Sequence, residues 1–248
     1  MSGTENHLKS KPPIPLAKRV TSEMLGTAFL VAAVVGSGIM AERLSGGNVG
    51  LALLANTLAT GFALVALILT FGPISGAHFN PVVTLADAME QGIPWKEAPA
   101  YIVAQIVGGV AGTLCAHTMF GLSIVSASHH TRTGPAQLFS EFVATFGLVC
   151  VIWGCSRFRS SAVAFAVGSY IAAAYWFTSS TSFANPAVTI ARSLSDTFSG
   201  IRPADVPGFI LAQFTGGIAA TLLFRWLVPG LTADAPDIVV PHGARERD

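Results

Sequence analysis

The heptapeptide Asn80-Pro81-Val82-Val83-Thr84-Leu85-Ala86 returns later in the chain as Asn185-Pro186-Ala187-Val188-Thr189-Ile190-Ala191. Pro is favoured at the first position of a helix, because its missing N–H would be unpaired there anyway. Asn just before it is a good N-cap. Each copy therefore predicts a loop followed by a short helix that starts at the proline. The copies sit in apolar stretches, 72–89 and 179–194. Both stretches are too short to cross a bilayer, which takes about 20 apolar residues.

Further matches flank the heptapeptides in the same order. Tyr101-Ile102-Val103-Ala104-Gln105 is matched by Phe209-Ile210-Leu211-Ala212-Gln213, and Gly108-Gly109 by Gly216-Gly217. Ser22-Glu23 is matched by Ser140-Glu141. The chain is thus an internal duplication.

Composition places the duplication in a membrane. Of 248 residues 52% are apolar and 11% are charged, where a soluble domain carries roughly 25% charge. The 14 basic and 13 acidic residues crowd toward the two ends. This excludes a water-soluble enzyme, a disordered chain and, at a net charge of +1, a nucleic-acid binder. Three cysteines make no disulfide framework. Long runs with few charges predict six spanning helices, near 20–41, 49–70, 98–120, 136–156, 160–178 and 206–228. No cleavable signal is expected, because Lys9, Lys11, Lys18 and Arg19 precede the first apolar run. Residues 1–19 and 229–248 read as polar tails around a domain 20–228, with repeats 20–120 and 136–228. Lys and Arg favour the side of the N-terminus, which the positive-inside rule makes cytoplasmic, and six crossings return the C-terminus there.

Three spans per repeat force the second copy to insert upside down, about an axis in the membrane plane. The two Asn-Pro segments then dip in from opposite sides and meet near the midplane. Irregular backbone survives there only when protein or a water-filled cavity covers it. Asn80, Pro81, Val82, Asn185, Pro186 and Ala187 form this expected midpoint. Each helix N-terminus carries about +0.5 charge, so the midpoint repels cations. Each Asn oxygen is expected to cap its own helix and leave its NH₂ group free to donate into a passage. A water that accepts from both would break a proton-conducting chain.

These residues, with Ser75-Gly76-Ala77-His78 ahead of the first Asn-Pro, resemble the aquaporin and aquaglyceroporin (major intrinsic protein) family over roughly residues 20–228. The resemblance implies an all-α membrane protein of six tilted helices and two re-entrant half-helices. It implies a homotetramer with one pore per subunit, set in the lipid bilayer of a bacterial inner membrane. Its partners would be small neutral solutes, with no cofactor, no metal site and no catalysis. Glu23 and Glu141 brace the pore loops in such proteins, and Gln105 and Gln213 are expected to do likewise.

The sequence departs from the family where Asn-Pro-Ala is usually followed by Arg, because here that position is Val188. Counting back along the family pattern gives the other filter positions as Thr60, Ala173 and Ser182. A ring of Thr60, Ala173, Ser182 and Val188 would be wide, uncharged and suited to solutes larger than water. The run Val188-Thr189-Ile190-Ala191-Arg192, continued by Leu194-Ser195-Asp196-Thr197-Phe198-Ser199-Gly200-Ile201, resembles channels of bacterial arsenic-resistance operons. That resemblance implies uncharged arsenous acid, a compact tri-hydroxyl molecule, as a solute beside glycerol-like polyols. The rival readings are a plain water or glycerol channel and a coupled secondary transporter.

Several other residues have simpler expectations. Arg192 is expected to point away from the passage and pair with backbone, Asp196 or an interface, the alternative being that it reaches back to replace the missing arginine. Cys115, Cys150 and Cys155 read as small packing groups. His129-His130 reads as a solvated loop, and His78 as a residue lining or bracing the pore mouth.

Overall fold

A computed structural model describes residues 14–228; the expected tails otherwise lie outside the described residues. Among the described residues the only regular elements are helices. They are α1 (Leu16–Leu44), α2 (Val49–Ser75), α3 (Pro81–Met89), α4 (Ala98–Met119), α5 (Pro135–Phe158), α6 (Val163–Phe177), α7 (Pro186–Arg192) and α8 (Val206–Leu227). Six are long and apolar enough to cross a bilayer, α6 together with the 3₁₀ turn Ser160–Ala162 that leads into it. The short helices α3 and α7 start at the two prolines, as expected.

The first span begins at Leu16, ahead of the expected residue 20. Arg19 ends that disagreement physically. Its Nε donates to Ile14 O at 3.1 Å and its Nη2 to Glu97 Oε2 at 2.7 Å, so the charge is satisfied on the helix. With 29 residues α1 is about 44 Å long, against about 30 Å of hydrocarbon, so it tilts or protrudes.

The two repeats fold alike. In the first, α1 packs on α4 and α2; in the second, α5 packs on α8 and α6. Close approach of these pairs needs glycine. A Cβ on Gly108 would stand 2.2 Å from Met24 O, and one on Gly216 would stand 2.5 Å from Phe142 O. The repeats are joined where α2 crosses α6.

Both ends of the described chain reach one face, called here the terminal face. Arg19 at the start of α1 meets Glu97, and Arg225 near the end of α8 donates to Met89 O at 2.7 Å and pairs with Glu90. Glu90 and Glu97 belong to the same α3–α4 segment. On the opposite face the 121–134 segment runs beside the chain that follows α7. Ser126 N–H donates to Leu194 O and Ser128 N–H to Ser193 O, each at 3.0 Å. Large apolar side chains such as Phe62, Leu211 and Trp226 stay exposed around the outside, where hydrocarbon would cover them.

Candidate functional site

Each re-entrant loop is held by one carboxylate. Glu23 Oε1 accepts His78 N–H at 3.0 Å and its Oε2 accepts Phe79 N–H at 2.7 Å. Glu141 Oε1 accepts Phe183 N–H and its Oε2 accepts Ala184 N–H, both at 2.8 Å. Gln105 and Gln213 donate to these carboxylates at 2.8 and 2.6 Å, and also to Thr84 and Thr189 at 2.9 Å. All four residues are fully buried. A buried carboxylate needs such donors, or it would be expelled or protonated. The same set of bonds thus holds the loop in both halves.

The loops need the bracing. Ala77 and Phe79 in the first, and Thr181, Ser182 and Ala184 in the second, have φ between 48 and 60°. Non-glycine residues in that region cost about 1–3 kcal/mol each and persist only where the surroundings dictate them. The twisted backbone turns successive N–H groups toward the glutamate on the neighbouring helix.

At the centre the two asparagines cap and cross. Asn80 Oδ1 accepts Val82 N–H at 3.0 Å; Asn185 Oδ1 accepts Ala187 N–H at 3.0 Å and Val188 N–H at 3.3 Å. Asn80 Nδ2 donates to Ala184 O at 2.7 Å, and Asn185 Nδ2 donates to Phe79 O at 2.8 Å. The expectation of an NH₂ group wholly free for the passage is therefore corrected. One N–H of each amide ties the opposite loop, and both asparagines border the cavity. Among the expected midpoint residues only Asn80 and Asn185 line the cavity. Val82 is buried against Gly217 and Ala187 against Gly109, while Pro81 and Pro186 open their helices.

A cavity of about 60 Å³ runs past both asparagines. On that scale one water needs roughly 10–15 Å³, so several fit. Four helices wall it, each with an aliphatic pair one turn apart: Leu30 and Val34, Leu64 and Ile68, Leu148 and Ile152, Val167 and Ile171. Polar groups gather toward its ends. His78 stands toward the terminal face, with Nδ1 3.1 Å from Thr84 Oγ1 and Nε2 3.4 Å from Asp87 Oδ2. Toward the opposite face stand Thr60, Tyr175, Ser182, Val188 and Arg192.

Three of the four expected filter residues, Thr60, Ser182 and Val188, line this distal part. Ala173 does not; it is exposed on the outside of α6. The reason is helical phase. At about 100° per residue, a position two beyond Ile171 lies about 200° round the helix from the passage. The residue one turn beyond Ile171 is Tyr175, and its hydroxyl is 3.2 Å from Thr60 Oγ1. The α6 residue beside Thr60 at this end of the cavity is thus a large aromatic and not the small Ala173. The stripe Val167–Ile171–Tyr175 carries the periodicity that finds it.

Arg192 is 2% exposed and lines the cavity while its Nε donates to Ser199 O. It meets backbone, as expected, yet it does not point away. Its guanidinium carbon lies 3.4 Å from the centre of the Phe183 ring. Arg132 comes to the same ring from the 121–134 segment, at 4.9 Å. Arg132 Nε donates to Gly200 O at 2.8 Å and Nη1 to Ser180 O at 3.1 Å. Burial pulls the Arg132 guanidinium down to about 10, so it stays charged at neutral pH. The sequence signal was slight: Arg132 is the one charge in a loop of otherwise neutral residues.

His129 and His130 sit in that same segment. His129 is exposed and pairs with Asp196, its Nδ1 3.0 Å from Oδ2. Burial and the two nearby arginines push His130 below the ordinary histidine value. Cys115 is exposed on α4, and Cys150 and Cys155 are half-buried on α5.

The chain matches the family described as Major intrinsic protein over residues 11–159 and 154–245. It is 54% identical over 213 residues to aquaglyceroporin AqpS of Rhizobium meliloti (strain 1021), covering 86% of this chain and 91% of that one. It is 31% identical over 242 residues to the probable aquaporin AqpM of Archaeoglobus fulgidus, covering 86% and 97%. In fold it is similar to the X-ray structure of the aquaglyceroporin from Plasmodium falciparum, with a TM-score of 0.67 at 18% identity, over 88% of this chain and 99% of that one.

Proposed function

The chain belongs to the major intrinsic protein family, whose members are channels and not enzymes, and we propose that its passage conducts small uncharged hydroxylated solutes. Arsenous acid and glycerol-like polyols are the solutes we assign to it, with water as a smaller one. The observation that carries this reading is the cavity itself, aliphatic along its walls and hydroxyl-bearing at its distal end. The hydroxyls of Thr60, Tyr175 and Ser182 can exchange hydrogen bonds with a tri-hydroxyl solute, while Val188 and Ile171 meet its apolar side. Ser182 Oγ is buried without a protein partner, which suits a group that bonds the solute in transit. Weak, shared contacts of this kind let a solute leave as readily as it enters.

In this reading Thr60, Tyr175, Ser182 and Val188 form the selective ring. Asn80 and Asn185 hold the midpoint, and Glu23, Glu141, Gln105 and Gln213 brace the loops. The channel domain is 20–228, and the terminal face is cytoplasmic, in line with the positive-inside rule. The protein sits in a bacterial inner membrane as a homotetramer with one pore per subunit.

The test is transport in proteoliposomes of purified protein. Glycerol swelling and arsenite uptake should both exceed those of empty vesicles. Both rates should stay the same when proton and sodium gradients are collapsed, as flux down a gradient requires. Glycerol flux without arsenite flux would remove the metalloid assignment, and flux that stops with the gradients would replace the channel by a coupled transporter.

A further inference from the structure

The two re-entrant loops carry opposite charges at equivalent places. Seven residues after Asn80 stands Asp87, and seven residues after Asn185 stands Arg192. Two residues before each asparagine stand His78 and Phe183. On the terminal side this makes a His78–Asp87 pair; on the distal side it stacks Arg192 on Phe183. Arg132 then adds a second guanidinium to the same ring.

Glu141 is the carboxylate whose field reaches both cations, and it does so without touching either. Among the described residues neither Arg132 nor Arg192 forms an ion pair. Their hydrogen bonds go to neutral oxygens, the carbonyls of Gly200, Ser180 and Ser199 and the hydroxyl of Thr181. The carboxylate of Glu141 is committed to the loop N–H groups and Gln213. Asp196 holds His129, and Asp205 holds Arg202 and the Arg132 backbone N–H. Ser182 Oγ, buried and unpartnered, lines the cavity beside Arg192. Two cations face the field of one carboxylate, Glu141, so net positive charge remains; both cations are buried, and Arg192 lines the cavity, so little solvent screens their field there.

Resting on the channel reading, we propose that Arg132 and Arg192, gathered on Phe183, form the barrier that keeps cations out of the distal half of the passage. They supply the charge that Val188 lacks. They supply it from beside the ring and from a separate segment, so the ring stays open to hydroxylated solutes. Arg192 acts directly on the passage, and Arg132 acts through its field from behind Phe183. The barrier is one-sided, because the equivalent place in the other loop is acidic.

The experiment measures methylammonium uptake and glycerol swelling in the same proteoliposomes. The wild type should pass glycerol and hold methylammonium near the empty-vesicle rate. Arg192→Gln should raise the methylammonium-to-glycerol ratio on the order of tenfold, and the Arg132→Gln, Arg192→Gln pair should raise it further. Arg192→Lys, which keeps the charge, should keep the ratio low. A double variant that passes glycerol with the wild-type ratio overturns the proposal. If the variants do not insert, the wild type still decides: methylammonium entry as fast as that of neutral formamide overturns it. Failure of the channel reading is distinguishable, since the wild type would then not pass glycerol.

Discussion

The loops 75–89 and 180–192 share a backbone but not a chemistry. Both place left-handed residues at the same distances before the asparagine: Ala77 and Phe79 in one, Ser182 and Ala184 in the other. Both hang two N–H groups on one buried glutamate, and both send an asparagine amide to the other loop. They part company in side chains that the backbone does not need. His78, paired with Asp87, lines one end of the cavity; Arg192, stacked on Phe183, lines the other. The duplication kept what holds an irregular chain at mid-membrane depth, and it left free what a solute meets on entering or leaving.

The largest expected effect breaks the shared part. Glu23→Ala and Glu141→Ala each strand two loop N–H groups, and a buried unpaired donor costs about 1–3 kcal/mol. Each should destabilise by about 3 kcal/mol or more, by similar amounts, read as detergent-resistant folding on thermal ramps. A large loss for one and none for the other would break the equivalence of the loops. The next effect lies in the distal loop alone. Val188→Arg should cut glycerol and arsenite flux about tenfold or more while sparing water, in stopped-flow swelling. Unchanged arsenite flux would remove Val188 from the selective ring. The same substitution in the first loop, Val83→Arg, meets a different mouth and should disturb insertion instead.

A smaller change sharpens the account of the ring. Tyr175→Phe removes only the hydroxyl that meets Thr60, an exchange worth about 0.5–1.5 kcal/mol. Glycerol flux should shift by a few-fold, and Ala173→Ser, on the outside of the same helix, should leave it alone. The smallest effect concerns the distal cover. His129 N–H and ring hold the exposed Asp196 carboxyl below the usual range. Such a group stabilises above the unfolded carboxylate value of about 4, and the contribution fades as pH falls through its lower folded value. Asp196→Asn should therefore speed hydrogen exchange in 126–130 slightly at neutral pH and make no difference once the native carboxyl is protonated.

Much of this was legible in the residues. Asparagine before proline fixes a cap and a helix start by local chemistry alone, and both short helices begin at the proline. Glu23 and Glu141 stood out because a lone carboxylate in an apolar span demands partners. Ala173 was misplaced because counting back along a family pattern carries a loop length with it. The helix decides the phase, and Tyr175 continues the stripe through Val167 and Ile171. Arg132 was illegible for another reason. Its place depends on a segment that packs against the α7–α8 connection some seventy residues away, and no local pattern encodes that contact.

The reciprocal amide bonds at the midpoint set a schedule for biosynthesis. Asn80 reaches the bilayer long before Ala184 leaves the ribosome, so the first loop waits with one of its donors unanswered. Nor can Asn185 find Phe79 unless the earlier half has stayed open to receive it. Closure of the pore is thus a late event that joins both halves at once, and a nascent protein stalled between them is not yet a conduit.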